Sequence, residues 1–260
     1  MIKNSIKVIT FFFFFALVSC VTNKKVTYLQ YAKYDEMASD TINSVTPADY
    51  KVLPYDNLFI KVVTPDPKLS EMFNTLPTTT SGISTSEQSA DLISFSVDGE
   101  GYIQIPYAGR IAVGGKTLPV ITAEVQAEIN NYLADAAVTV KMVNNYVSLL
   151  GEVKRPGRYP IYKERLNIFQ ALAMGGDLDV YSNRRVVQVI RPTAHGNVVQ
   201  EFSLTDRSIL SSEFFFVMPN DVIYAKPMKG KFFQMAAFPY QVLLSTITTF
   251  ILVWNVVRLK

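Results

Sequence analysis

Apolar and polar positions follow three patterns along this chain. Residues 8–17 form an apolar run, interrupted only by Thr10, with five consecutive phenylalanines, preceded by Lys3 and Lys7. Between residues 50 and 224 the apolar residues come in short alternating runs, which predict strands, separated by Gly, Pro, Asn and Asp, which predict turns. Residues 238–257 carry no formal charge at all, and Arg258 is the first charge after them. Twenty such residues on a helix span about 30 Å, the thickness of a bilayer's hydrocarbon core.

The middle region predicts two units. In the first, strands are expected at 50–53 and 57–63 around the turn Pro54-Tyr55-Asp56. A long loop is expected over 64–92, where Pro, Ser and Thr abound and periodicity fades. A hairpin is expected from 93–97 and 102–106 around Asp98-Gly99-Glu100-Gly101, and a further strand at 110–113. Thr117 is placed to cap a helix whose stripe is Leu118, Ile121, Val125, Ile129 and Leu133, followed by a strand at 137–143. The second unit predicts strands at 146–150 and 159–162 around the turn Lys154-Arg155-Pro156-Gly157. Asn167 is expected to cap a helix over 168–174 that stops at Gly175-Gly176, before a hairpin from 186–191 and 198–204. Strands at 214–217 and 222–224 finish it. Pro54-x-Asp56 and Pro219-x-Asp221 share turn chemistry, which explains the echo better than duplication does. Strands flanking single helices make the fold class α+β: two small α/β-mixed domains and one C-terminal amphipathic helix.

On a helical projection the last segment has two faces. Gln241, Ser245, Thr248, Leu252 and Asn255 share one, and Leu243, Ile247, Phe250, Trp254 and Val257 share the opposite one. Several copies with the polar stripe inward would line a pore. A plain anchor, or a core helix with Ser and Thr as packing residues, would show much the same letters.

The beginning of the chain decides the compartment. A basic start and an apolar stretch of about ten residues describe a secretory signal, too short to span a membrane. It ends in Leu17-Val18-Ser19-Cys20, the lipobox arrangement in which the cysteine thiol takes a lipid, and Cys20 is the one cysteine in the chain. Lipidation at Cys20 places the body outside a bacterial cytoplasm, and Val21 after it points to the outer membrane. Polar residues in the terminal helix then acquire a use, because they make its lateral release into the inner membrane less favourable. The formal net charge of +3 falls to +1 once Lys3 and Lys7 leave with the signal, too little excess cation for nucleic acid.

No catalytic constellation is selected. The single histidine, His195, precedes a glycine in an expected turn; Asp98 with Glu100, Asp177 with Asp179, and Asp206 also fall in turn contexts. A carboxylate-pair glycosidase has no chosen pair among them. No metal set and no cofactor are expected beyond the lipid on Cys20. Lys226, Lys229 and Lys231 before the helix and Arg258 and Lys260 after it suit headgroup contacts.

Residues 97–118, with Val97-Asp98-Gly99, Ile105-Pro106-Tyr107-Ala108-Gly109 and Gly115-Lys116-Thr117-Leu118, resemble the export domain of outer-membrane capsule and exopolysaccharide exporters. Leu150-Gly151-Glu152-Val153-x-x-Pro156-Gly157, with Ala171-Leu172-x-x-Gly175-Gly176 and a strand ending in Arg191, resembles the soluble-ligand-binding β-grasp module of the same family. The resemblance implies a signal peptide at 1–19, a lipidated tether at 20–46, a periplasmic export domain at 47–143, a β-grasp domain at 144–228 and a transmembrane helix within 229–260. It also implies a homo-oligomeric ring of about eight copies, an exported polysaccharide, and an inner-membrane copolymerase or tyrosine kinase as partner. The chain carries one clear β-grasp module where the largest members carry more. On this reading Gln241, Ser245, Thr248 and Asn255 line the pore while Leu243, Ile247, Phe250, Trp254 and Val257 face lipid. Phe232 to Tyr240 lie toward the periplasm, and Arg258 to Lys260 toward the exterior. The alternative expectation is a lipid-anchored periplasmic glycan-binding or docking protein without a pore.

Overall fold

The computed structural model describes residues 26–30, 46, 48–74, 93–143, 145–163, 165–229, 231 and 240–258. The expected signal, Cys20, and residues 232–239, 259 and 260 lie outside the described residues. Two separate cores organise the rest. One gathers Leu58, Ile60, Val62, Val97, Ile103, Ile105, Ile121, Val125 and Ile129; the other gathers Val147, Leu149, Ile168, Leu172, Val187, Val189 and Ile223.

In the first unit, β1 (Asn57–Val63) is the central strand of a three-stranded sheet, with β2 (Phe95–Ser96) on one side and β5 (Ala137–Met142) on the other, both antiparallel to it. Alternation sends Leu58, Ile60 and Val62 inward, where they meet Ile121, Val125 and Ile129 of the helix α2 (Leu118–Asn130). The expected helix stripe therefore faces the core, with one change at its end. The helix stops at Asn130, and Leu133 packs from the following turn. Thr117 holds the N-cap position but its side chain makes no capping bond.

Three expectations about the first unit are corrected. The hairpin placed on 93–97 and 102–106 forms differently: Phe95 and Ser96 pair with Leu58 and Asn57, and the hairpin is instead β3 (Tyr102–Ile105) with β4 (Gly109–Ala112). The Asp98 carboxylate accepts from the Glu100 and Tyr102 amides, so Asp98-Gly99-Glu100-Gly101 caps a corner between sheets. The stretch expected as loop contains the helix α1 (Pro67–Phe73). Asp66 caps it, Pro67 opens it, and Asn74 at its end exchanges bonds with the amide and carbonyl of Val62. Finally, residues expected as the strand 50–53 give a single bridge, Lys51 to Thr117.

The second unit is a five-stranded sheet in the order β10 (Gly196–Phe202), β9 (Ser182–Thr193), β12 (Val222–Pro227), β6 (Tyr146–Gly151), β7 (Gly157–Pro160). β6 and β12 run parallel and every other neighbour is antiparallel. The helix α3 (Ile168–Met174) covers the apolar face. It begins with a reciprocal capping box, in which Asn167 accepts from the Gln170 amide and the Gln170 side chain accepts from the Asn167 amide. A two-stranded ladder of β8 (Leu166–Asn167) and β11 (Phe216–Val217) closes one end. The expected strand at 214–217 is correct only for its last two residues. Glu213–Phe215 is a 3-10 turn, because the Ser212 hydroxyl accepts from the Phe214 amide and holds a helical start. The last described element is the helix α4 (Tyr240–Arg258).

Candidate functional site

Two turns with one backbone bring the units together. In Leu53-Pro54-Tyr55-Asp56, Tyr55 has φ 70° and the Asp56 carboxylate accepts from the Leu53 amide at 2.8 Å. In Met218-Pro219-Asn220-Asp221, Asn220 has φ 64° and Asp221 accepts from the Met218 amide at 2.8 Å. Both aspartates are buried. Asp56 also receives the Tyr50 hydroxyl at 2.8 Å and the Asn220 amide at 3.3 Å, so the first turn touches the tip of the second. Asp221 turns into its own unit and takes a bidentate pair from Arg191 at 3.0 and 2.8 Å. Burial raises the Asp221 carboxyl above its usual range while the Arg191 guanidinium opposes that rise.

The N-terminal strap, residues 26–30, docks on the second unit although the first follows it in the chain. The Leu29 and Gln30 amides donate to the carbonyls of Leu204 and Thr205, and the Tyr28 hydroxyl donates to Asp177 at 2.6 Å. The Tyr28 ring meets Phe169 edge-on at 5.8 Å and lies under Arg184. Burial, followed by the bond to Asp177, pushes the Tyr28 phenol up to about 12.

The route toward the terminal helix starts from the same unit. Gly151 has φ +82°, and a Cβ there would sit 2.2 Å from the Ala225 carbonyl, so only glycine lets β6 lie against the end of β12. Beside it Glu152 is almost fully buried and pairs with Lys231, the last described residue before the helix. Lys231 was expected at lipid headgroups and Glu152 only as part of the Gly151-Glu152-Val153 motif; their pairing was not expected. The signal was present: an acid between Gly and Val at a strand end, and a lysine just ahead of the apolar segment.

Every side chain of α4 from Gln241 to Arg258 is exposed, and the helix is long and apolar enough to cross a membrane. Gln241, Ser245, Thr248 and Asn255 fall on one face and Leu243, Ile247, Phe250, Trp254 and Val257 on the other by the helix's own geometry. The hydroxyls are not idle. Ser245 donates to the Val242 carbonyl, Thr246 to Leu243, Thr248 to Leu244 and Thr249 to Ser245, at 2.7–2.9 Å. Each is thus satisfied within the helix, which sharply reduces its cost in lipid. Phe250 and Trp254 stack 6.4 Å apart on the apolar face. A shallow groove of Ser245, Thr246, Thr249, Phe250 and Val253 runs along the flank between the faces.

The carboxylates considered for catalysis are each engaged structurally. Arg110 bridges Asp98 and Glu100 at 2.7 and 2.6 Å, Asp177 holds Tyr28, Asp179 accepts from the Val180 amide, and Asp206 caps a 3-10 turn. His195 sits exposed between β9 and β10. Among the described residues no three His, Cys, Asp or Glu side chains gather closely enough to hold a metal ion.

Against known proteins, residues 44–143 match the family model described as polysaccharide biosynthesis/export protein. The chain is 34% identical over 83 residues to the EPS I polysaccharide export outer membrane protein EpsA of Ralstonia solanacearum, covering 31% of this chain and 22% of that protein. It is 35% identical over 82 residues to the protein of the same name from Ralstonia nicotianae (strain ATCC BAA-1114 / GMI1000), covering 30% and 22%. The matched stretch thus spans less than a quarter of the length of either relative.

Proposed function

We propose that this chain, whose residues 44–143 match the polysaccharide biosynthesis/export family model, serves polysaccharide export at the outer membrane as a lipid-anchored, homo-oligomeric channel. The second unit, a helix packed on a mixed sheet, takes the β-grasp role. The exposed, two-faced terminal helix carries the channel reading, and the strap leading back toward Cys20 and the lysine ahead of that helix, both fixed to the second unit, orient it. That unit is then the membrane-facing body, and the export domain points away from the bilayer into the periplasm.

Terminal helices gathered side by side would put Leu243, Ile247, Phe250, Trp254 and Val257 against lipid and turn Gln241, Ser245, Thr248 and Asn255 inward. These offer neutral hydrogen-bonding groups to a hydrated polymer and no charge to trap it. Transport, not catalysis, is the activity, and synthesis and energy come from a partner such as an inner-membrane copolymerase or tyrosine kinase. Arg258 to Lys260 face the exterior.

Single-particle images of the detergent-extracted protein are expected to show closed rings; a monomer at every concentration removes the channel. Replacing Ser245 and Thr248 by Leu is expected to abolish surface polysaccharide while the protein still reaches the membrane. Radiolabelled palmitate is expected in the parent and absent in Cys20→Ala. A second reading draws on the hydroxyl bonds within the helix, which let it stand alone in lipid: a lipid-anchored glycan-binding or docking protein without a pore. The monomer outcome would select it.

A further inference from the structure

Cations are concentrated in one short stretch. Residues 154–165 read Lys-Arg-Pro-Gly-Arg-Tyr-Pro-Ile-Tyr-Lys-Glu-Arg, five cations against one acid, in a chain whose formal net charge is only +3. The stretch contains β7, which among the described residues is an edge strand of the five-stranded sheet, paired on one side. Lys154, Arg155, Arg158, Tyr162, Lys163 and Arg165 are all exposed, Tyr162 at 89%. Among the described residues the ion pairs engage Arg110, Lys116, Arg191, Lys226 and Lys231, and none engages Lys154, Arg155, Lys163 or Arg165. Arg158 lies 4.3 Å over the Tyr146 ring, which braces its guanidinium on the outward face of the sheet, opposite the side on which Val147 and Leu149 are buried.

The direction of this strip selects its ligand. β7 starts opposite Leu149, near Gly151 and the end of β12 from which the chain departs for the terminal helix. It finishes opposite Tyr146, whose carbonyl accepts from the Asn220 amide, and Asn220 is the residue that reaches Asp56 of the first unit. Lys154 and Arg155 therefore stand at the helix end, Lys163 and Arg165 toward the junction, and Arg158 between them. A surface made for lipid headgroups would collect its cations at the helix end alone. Cations before, within and after this strand match a chain-like anion lying parallel to the line from export domain to helix. Guanidinium and ammonium groups bind carboxylates and phosphates, and an exposed tyrosine face suits the flat side of a sugar ring.

We infer that this edge is a contact strip for an anionic polysaccharide, one whose sugars carry carboxylate or phosphate groups. The assignment rests on the export reading and adds the charge class of the polymer and the surface that meets it.

The test uses full-length protein in detergent and two defined probes, polygalacturonate oligomers and neutral dextran oligomers of matched length. Polygalacturonate is expected to bind with an affinity that falls as salt rises, and dextran to bind far more weakly. The combined variant Lys154→Gln, Arg158→Gln, Lys163→Gln and Arg165→Gln is expected to weaken polygalacturonate binding about tenfold, the scale of several exposed ion pairs together. Its circular dichroism melt should stay close to the parent's, since all four side chains are exposed and only Arg158 gives up a ring contact. The inference is overturned if the parent does not bind polygalacturonate at low salt, if dextran binds equally well, or if a folded variant binds as the parent does. Phosphatidylglycerol vesicles form a third arm: if the variant loses vesicle binding and keeps polygalacturonate binding, the strip belongs to the membrane and the inference fails. Binding in detergent is read without rings or export, so its failure leaves the channel reading standing, and absence of rings leaves the strip standing.

Discussion

The turns at Leu53–Asp56 and Met218–Asp221 share a proline, a left-handed third residue and a buried aspartate bonded to the amide three residues back, yet they do different work. Asp221 points into its own unit and neutralises Arg191, which also donates to the Phe216 carbonyl and lies over the Phe214 ring. Asp56 points toward the neighbouring unit and joins Tyr50 to Asn220. The turn chemistry sets the backbone, and the residues around it decide whether the second carboxylate oxygen serves a core or a junction.

That contrast can be broken at four places. The largest effect is expected for Asp221→Ala, which leaves the Arg191 guanidinium buried without its counter-charge and should destabilise the second unit by about 3–5 kcal/mol in denaturant unfolding. Asp56→Ala strands a backbone amide, a phenol and an amide side chain, none of them ionised, and should cost about 2 kcal/mol. In Asp56→Asn the Tyr50 phenol, held well above its ordinary value by burial and then by the Asp56 carboxylate, should ionise at lower pH in an ultraviolet titration.

The strap gives a smaller and pH-dependent effect. The Tyr28 phenol has its folded value raised from 10.0 to about 12, so its contribution is fully present below pH 10 and is lost as pH rises through about 12. Allowing for partial exposure, about 1 kcal/mol of docking should disappear over that window. Hydrogen exchange at the Leu29 and Gln30 amides should report it, and Tyr28→Phe should remove the dependence. The smallest effect is expected for Asn220→Gly. Glycine accepts φ 64° without strain, so only the bond to Asp56 is lost, about 0.5–1 kcal/mol. The change should appear as looser coupling between the units in exchange or crosslinking measurements, with each core intact.

What the sequence made legible follows the range of the interaction. The helix from Leu118 and the cap at Asn167 were readable because their determinants lie within four residues of one another; the reciprocal bond from Gln170 emerged only in the structure. The turn at Asp98 was also recognisable. Its strand partners were not, because Phe95 chooses Leu58 across a long excursion, and no local pattern encodes that pairing. The helix at Pro67 was obscured by the Ser, Thr and Pro around it, although Asp66-Pro67 is a helix start by chemistry. At the terminal helix the two faces were readable from spacing alone. The back-bonding of Ser245, Thr248 and Thr249 was not, since the same hydroxyls read equally well as groups waiting for water.

The docked strap has a consequence in time. Tyr28 and Asp177 are 149 residues apart, and the Leu204 and Thr205 carbonyls that receive the strap lie later still. As the chain is made or secreted from its N-terminus, the strap appears first and its seat appears last, with the whole export domain in between. That domain can form its core while both ends are loose, whereas the second unit can accept the strap only after closing a long loop around a folded neighbour. The strap at 26–30 can therefore settle only once its seat on the second unit is complete.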